Sequence, residues 1–145
     1  MPLRPVVLRC VWRVDAQCRR QGVNVAVDLP TDLPPCAAHP LLLDQLLASL
    51  VANAVEAMPQ GGQLTIGARA AGERVSLSIA DTGAGMSEAE LARAFQPFQS
   101  KKRGELGLGL PLAAQITRRL GGGLELRSEP GRGAEALLRL RAAGD

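Results

Sequence analysis

Hydrophobic periodicity switches repeatedly along this chain between a helical repeat and an alternating one. The order of those switches restricts its architecture more than any other feature. Leu3, Val7, Val11, Val14 and Cys18 recur at helical spacing up to Gly22, so Leu3 to Gln21 reads as a helix. Pro5 falls in its first turn, where a missing N–H costs little. Val23, Val25, Val27 and Leu29 then alternate as in a strand, and Pro30, Pro34 and Pro35 break the pattern into a loop. A second helix is expected from about Pro40 to Met58, apolar around much of its circumference and therefore buried, with Pro59 and Gly61-Gly62 as its stop. Two alternating runs follow, Leu64-Ile66-Ala68 and Val75-Leu77-Ile79. The short connection at Ala71 and Gly72 makes them an antiparallel hairpin.

Beyond Asp81, Ser87 and Glu90 form a capping box that opens a short helix through Leu91, Ala94 and Phe95. Gln96 to Gly107 lacks periodicity and reads as a mobile loop. Pro111 opens another helix, with Leu112, Ile116 and Leu120 on one face and Gly121 to Gly123 as its stop. Leu124 and Leu126 begin a strand, Pro130 to Gly133 turns, and Ala136, Leu138 and Leu140 mark the last strand. The order α-β-α-β-β-α-α-β-β predicts an α+β fold, a two-layer sandwich of one mixed, mostly antiparallel sheet with helices on one face. At 145 residues without an internal repeat, residues 1–145 are expected to form a single domain.

Composition narrows the partners. The net charge of +3 comes from 17 basic and 14 acidic residues spread along the chain, too small an excess to call for nucleic acid. Aromatic residues make up 2% and tyrosine is absent, which leaves no base-stacking platform. No apolar run approaches the ~18 residues that span a bilayer, and Arg4, Arg9 and Arg13 interrupt any signal-like start. The chain therefore reads as soluble and without direct membrane contact. Cys10, Cys18 and Cys36 fit reduced thiols of a cytoplasmic protein rather than a disulfide framework.

Three stretches carry polar residues and glycines that a core pattern does not need. Ser49, Asn53 and Glu56 share one stripe of the second helix. The amide of Asn53 is either hydrogen-bonded within the core or a hard oxygen ligand suited to Mg²⁺. Asp81, Gly83, Gly85 and Met86 follow the end of a buried strand. That pattern makes an Asx-type turn, or a site where something approaches the backbone closely and an exocyclic amine donates to the carboxylate. Gly107-Leu108-Gly109-Leu110 enters a helix, preceded by Lys101, Lys102 and Arg103. It is a flexible loop with a solvated basic run, or a set of backbone N–H groups facing an anion. It matches neither the P-loop pattern nor the dinucleotide-binding fingerprint.

Taken in this order, the three stretches resemble the boxes of the catalytic, ATP-binding domain of sensor histidine kinases, within the gyrase, chaperone, histidine kinase and MutL ATPase superfamily. Leu50 to Met58 is similar to that family's N box, Asp81 to Met86 to its first glycine box, and Phe95 to Phe98 to its phenylalanine box. Gly107 to Leu110 is similar to its second glycine box, and Gly122 through Gly133 to its closing hairpin. The likeness runs from about Arg19 to Leu140 and implies a Bergerat-type ATP-binding fold. It implies ATP and Mg²⁺ as cofactors. Asn53 would coordinate the Mg²⁺, and Asp81 would accept from the adenine amine. Gly83, Gly85 and Met86 would shape the pocket. Lys102 and the backbone of Gly107, Leu108, Gly109 and Leu110 would meet the phosphates. Residues from about Ser87 to Leu106 would be a lid anchored by Phe95 and Phe98.

The chain also departs from the family's pattern. Ser49 stands where these kinases usually have asparagine and hydrolytic members of the superfamily have a glutamate base, and serine cannot serve as that base. Glu105 replaces a common lid glycine, and Ala134 replaces a common threonine. Glu56 is shared with sensors of the nitrogen-regulation type. His39, the single histidine, precedes Pro40 and lacks an acidic neighbour, so a surface or capping role is expected rather than phosphorylation. The resemblance therefore implies a catalytic half, monomeric by itself and cytoplasmic, that donates the γ-phosphoryl of ATP to a histidine on a separate dimerisation domain, with a response regulator downstream. The alternatives are a degenerate module that binds nucleotide or a partner without transfer, and a serine kinase of the anti-sigma type.

Overall fold

A computed structural model describes residues 2–93 and 109–143. The helix α1 (Leu3–Gln21) is followed by β1 (Val23–Asp28), α2 (Pro40–Glu56), β2 (Gly62–Ala71), β3 (Arg74–Asp81), α3 (Glu88–Arg93), α4 (Gly109–Arg119), β4 (Gly123–Ser128) and β5 (Ala134–Arg141). The element order is the one the periodicities predict. Two ends differ. The helix α2 stops at Glu56, two residues before Met58, and at this end Gln21 reaches across from α1, its Nε2 donating to the carbonyls of Val55 (3.0 Å) and Met58 (2.9 Å). The helix α4 starts at Gly109 rather than at Pro111, so the proline lies inside its first turn, where it still breaks no intrahelical bond.

The sheet order is β1-β2-β3-β5-β4. Only β1 and β2 run parallel, and α2 is the crossover such a pair requires. The other three pairs are antiparallel, so the sheet is mixed and mostly antiparallel, as expected. Along β3 the side chains of Val75, Leu77, Ile79 and Asp81 are buried, while Arg74, Ser76, Ser78 and Ala80 point the other way. The buried set meets α2, and α1 and α4 pack on either side of that helix. Leu43, Leu46, Leu47, Leu50, Val51 and Val55 fill the space between them and Leu64, Ile66, Leu77 and Leu138. The opposite face carries a shallow groove of about 420 Å³ beside Ser76, Ser78 and Glu135.

Capping residues act where the sequence places them. The Leu41 N–H donates to Nδ1 of His39 (3.2 Å), which makes His39 the N-cap of α2. The N–H of Glu90 donates to Ser87 Oγ (3.1 Å) and that of Ser87 to Glu90 Oε1 (3.2 Å), closing the capping box.

All three cysteines are buried and reduced. Burial, reinforced by Asp44 and partly offset by Arg13 and Arg9, pushes the Cys10 thiol from 9.0 up to about 11. Burial pushes Cys36 up to about 11 as well, and raises Cys18 with help from Asp15. The folded chain thus holds its thiols protonated where the unfolded chain has lost those protons. The contribution of Cys10 and Cys36 to stability is complete below the unfolded value of 9.0 and is lost as pH rises toward about 11, and that of Cys18 falls in the same direction. We predict that the native chain resists an aromatic disulfide reagent at neutral pH and that all three thiols react after denaturation. Urea midpoints should fall on titration through the alkaline range. Rapid labelling of the native chain would contradict this burial.

Candidate nucleotide site

The helix α2 brings the first two polar stretches together. Asn53 lies one turn from the end of α2, and its carbonyl accepts from Ala57 N–H (3.1 Å) as the helix closes. The Ala57 carbonyl then abuts Gly83, where a Cβ would overlap it. The side-chain Nδ2 of Asn53 is buried and has no hydrogen-bond partner among the described residues. A buried amide left incomplete is costly unless a ligand completes it. A half-turn of that amide presents its oxygen, the hard donor that Mg²⁺ takes alongside waters and phosphate oxygens. The residues present therefore fit that ion.

Asp81 ends β3 on the buried face and retains only 9% of its exposure. The Gly83 N–H donates to its Oδ1 (2.8 Å), so the Asx-type turn exists and fixes the carboxylate. Thr82 is held from the other side. Its Oγ1 accepts from Gln63 N–H (2.9 Å) and lies 3.8 Å from the sulfur of Met58.

The glycines have a different explanation from the one their spacing suggests. The body that approaches Gly83 and Gly85 closely is the chain itself. A Cβ at Gly83 would overlap the Ala57 carbonyl, and one at Gly85, whose φ is +74°, would overlap the Glu129 carbonyl. Gly133, with φ +82°, sits against the Asp81 carbonyl in the same way. The loop of residues 82–86 is thus wedged between the end of α2 and the β4–β5 turn. Met86, partly buried, donates its N–H to Ser128 Oγ (2.8 Å). Ser128 is the residue that sequence reasoning missed. Its signal is register, since it continues the inward face of Leu124 and Leu126 with a hydroxyl in place of an apolar group.

Gly109 and Leu110 form the first turn of α4, which packs against α2, so the third stretch converges on the same helix. Lys102, Gly107 and Leu108, with the expected lid residues beyond Arg93 including Phe95, Phe98 and Glu105, lie outside the described residues.

Known proteins share this fold. A family described as histidine kinase-, DNA gyrase B- and HSP90-like ATPase matches residues 38–144. The alginate biosynthesis sensor protein KinB of Pseudomonas aeruginosa is 34% identical over 114 residues, covering 77% of this chain and 19% of KinB. Sporulation kinase E of Bacillus subtilis (strain 168) is 34% identical over 121 residues, covering 83% of this chain and 16% of that kinase. Among solved structures, full-length ShkA in complex with AMPPNP superposes with a TM-score of 0.87 at 26% identity, over 100% of this chain and 31% of that one. The nucleotide-free catalytic domain of the histidine kinase ThkA superposes with a TM-score of 0.88 at 20% identity, over 98% of this chain and 93% of that one, a likeness of fold.

The chain belongs to the histidine kinase-, DNA gyrase B- and HSP90-like ATPase family. Within that family it is an ATP-binding catalytic domain of the sensor histidine kinase type, the class of its relatives. It spans less than a fifth of the length of KinB or sporulation kinase E.

The wedge can be tested with two alanines. Gly72 has φ +62° and open space around its Cβ position, so Gly72→Ala should cost about 1 kcal/mol for left-handed backbone alone. Gly85→Ala adds a backbone clash and should cost about 3 kcal/mol or more in urea unfolding. Equal costs would contradict the close packing of the loop on the β4–β5 turn.

Proposed function

We propose that this chain binds ATP with Mg²⁺ against α2, the loop of residues 81–86 and the first turn of α4. It donates the γ-phosphoryl group to a histidine held on a dimerisation and phosphoacceptor segment. The observation that carries this reading is the pairing of a buried, turn-fixed carboxylate at Asp81 with an amide at Asn53 whose Nδ2 has no partner among the described residues, on two elements in direct contact.

Each group has work suited to its chemistry. The Asp81 carboxylate only accepts hydrogen bonds, so it selects a base that offers an exocyclic amine, as adenine does, over guanine, which offers a carbonyl. Gly83, Gly85 and Met86 hold the loop that frames the base. Asn53 supplies an amide oxygen to the metal. Gly109 and Leu110 present the backbone N–H groups of a helix start to the phosphates, joined by Lys102, Gly107 and Leu108. Mg²⁺, when bound, offsets charge on the phosphate oxygens during transfer. Ser49, one turn before Asn53, provides no general base, so water is not activated and the phosphoryl group waits for its acceptor.

His39 does not fill the acceptor role. Its ring caps α2, and Asn53 lies roughly 20 Å further along the helix axis. The acceptor is thus a histidine of another segment, and the product phosphohistidine passes its group to a response regulator. In this reading the chain is monomeric by itself and works in the cytoplasm, and no described helix is long and apolar enough to cross a membrane.

Titration calorimetry tests the binding half. ATP and ADP should bind, more weakly after Mg²⁺ is chelated, and phosphate release by the chain alone should be negligible. Asp81→Asn should weaken ATP by about 1–3 kcal/mol and narrow the preference for ATP over GTP. No detectable heat at millimolar ATP would overturn the proposal, and brisk hydrolysis would overturn the role given to Ser49.

A further inference from the structure

The β4–β5 turn does more than connect two strands. Five residues, Glu129 to Gly133, separate the paired positions Ser128 and Ala134. Ser128 Oγ is used in both directions. It accepts from the Met86 N–H (2.8 Å) and donates to the carbonyl of Gly133 (2.8 Å). Two residues back along the loop, the Gly131 N–H donates to the Ala84 carbonyl (2.6 Å). Two backbone contacts complete the joint, the Glu129 carbonyl against Gly85 and Gly133 against the Asp81 carbonyl. The loop that follows Asp81 is therefore latched along its length by a turn distant in sequence.

We propose that Ser128 is a positioning residue for base recognition. Through Met86 and the Gly133 carbonyl it holds the 82–86 loop in register with Asp81, and so sets how sharply adenine is preferred over guanine. The inference rests on the nucleotide reading above and adds a residue to it. The physical reason is directional. A carboxylate discriminates between an amine and a carbonyl only if its position against the base is fixed. Asp81 is fixed at one side by the Gly83 N–H and, through the backbone that follows, by whatever holds residues 84–86. That backbone has no hydrogen bond to α2 or β2 beyond Thr82 among the described contacts. The latch to the β4–β5 turn is its anchor.

Removing the Ser128 hydroxyl leaves the Met86 N–H without its partner and releases the Gly133 carbonyl at the same time. The strand pairing of β4 with β5 uses backbone groups and is untouched. A purely structural serine would lower stability and leave the ratio of nucleotide affinities alone. A positioning serine changes the ratio.

The test is calorimetry with ATP and with GTP on the wild-type chain, Ser128→Ala, Ser128→Thr and Arg132→Ala, with urea unfolding of each. Ser128→Ala should weaken ATP about fivefold to tenfold and GTP much less, so that discrimination narrows. Ser128→Thr, which keeps the hydroxyl, should restore most of the ratio. Arg132, exposed on the same turn and paired with Glu129 at 3.5 Å, should leave it unchanged. An unchanged ATP-to-GTP ratio in Ser128→Ala, with ATP still bound by the wild-type chain, would overturn this inference and leave the proposed function standing. A wild-type chain that binds neither nucleotide would overturn both. Should Ser128→Ala fail to fold, the Ser128→Thr and Ser128→Cys ratios decide. A Cys ratio equal to that of wild type and Thr would contradict the role of a well-aligned hydroxyl.

Discussion

Packing of α2 into the centre of the helical layer is the constraint on which the rest of the molecule depends. Its apolar circumference buries against β3 below, α1 on one side and α4 on the other. Removing a large side chain from such a position typically costs about 2–5 kcal/mol, a substantial part of a small domain's stability. The same helix delivers function. Its last turn carries Asn53, its C-terminal carbonyls are capped by Gln21 from α1, and its Ala57 carbonyl fixes how closely Gly83 approaches. A change in α2 that shifts this last turn therefore moves the proposed metal ligand and the proposed base-reading loop together.

The loop after β3 is a second consequence of close packing. Three glycines, Gly83, Gly85 and Gly133, allow backbone to meet backbone at positions where any side chain would intrude. The result is a loop held by the end of α2 and by the β4–β5 turn, with the Gly83 and Met86 N–H groups and the Ala84 carbonyl bonded within the protein. Such a loop loses little conformational freedom when a base docks against it, which favours binding by preorganisation.

The fold was legible wherever burial enforces a repeat. The alternation in Val75, Leu77 and Ile79 and the helical spacing from Leu3 to Cys18 mark faces that meet the core, and both elements lie where the spacing places them. Long-range partners were not legible, because period says which face is inside but not what it touches. Gln21 reads as the polar end of a helix, yet its amide spans to α2. Gly83 and Gly85 read as a place of close approach, which is correct, but the approaching body is the chain's own carbonyls. Ser128 is not singled out by the sequence pattern, and only the folded sheet reveals that it meets Met86. The start of α4 at Gly109 shows the limit of proline as a marker, since proline is tolerated anywhere in a first turn.

The central claim is that this chain donates a phosphoryl group that it does not accept. Incubation with ATP labelled in the γ-phosphoryl group, alone and with a dimerisation and phosphoacceptor segment of a sensor kinase supplied separately, tests it directly. The account predicts acid-labile label on a histidine of the added segment and none on this chain. Label on this chain by itself, abolished in His39→Gln, would contradict it.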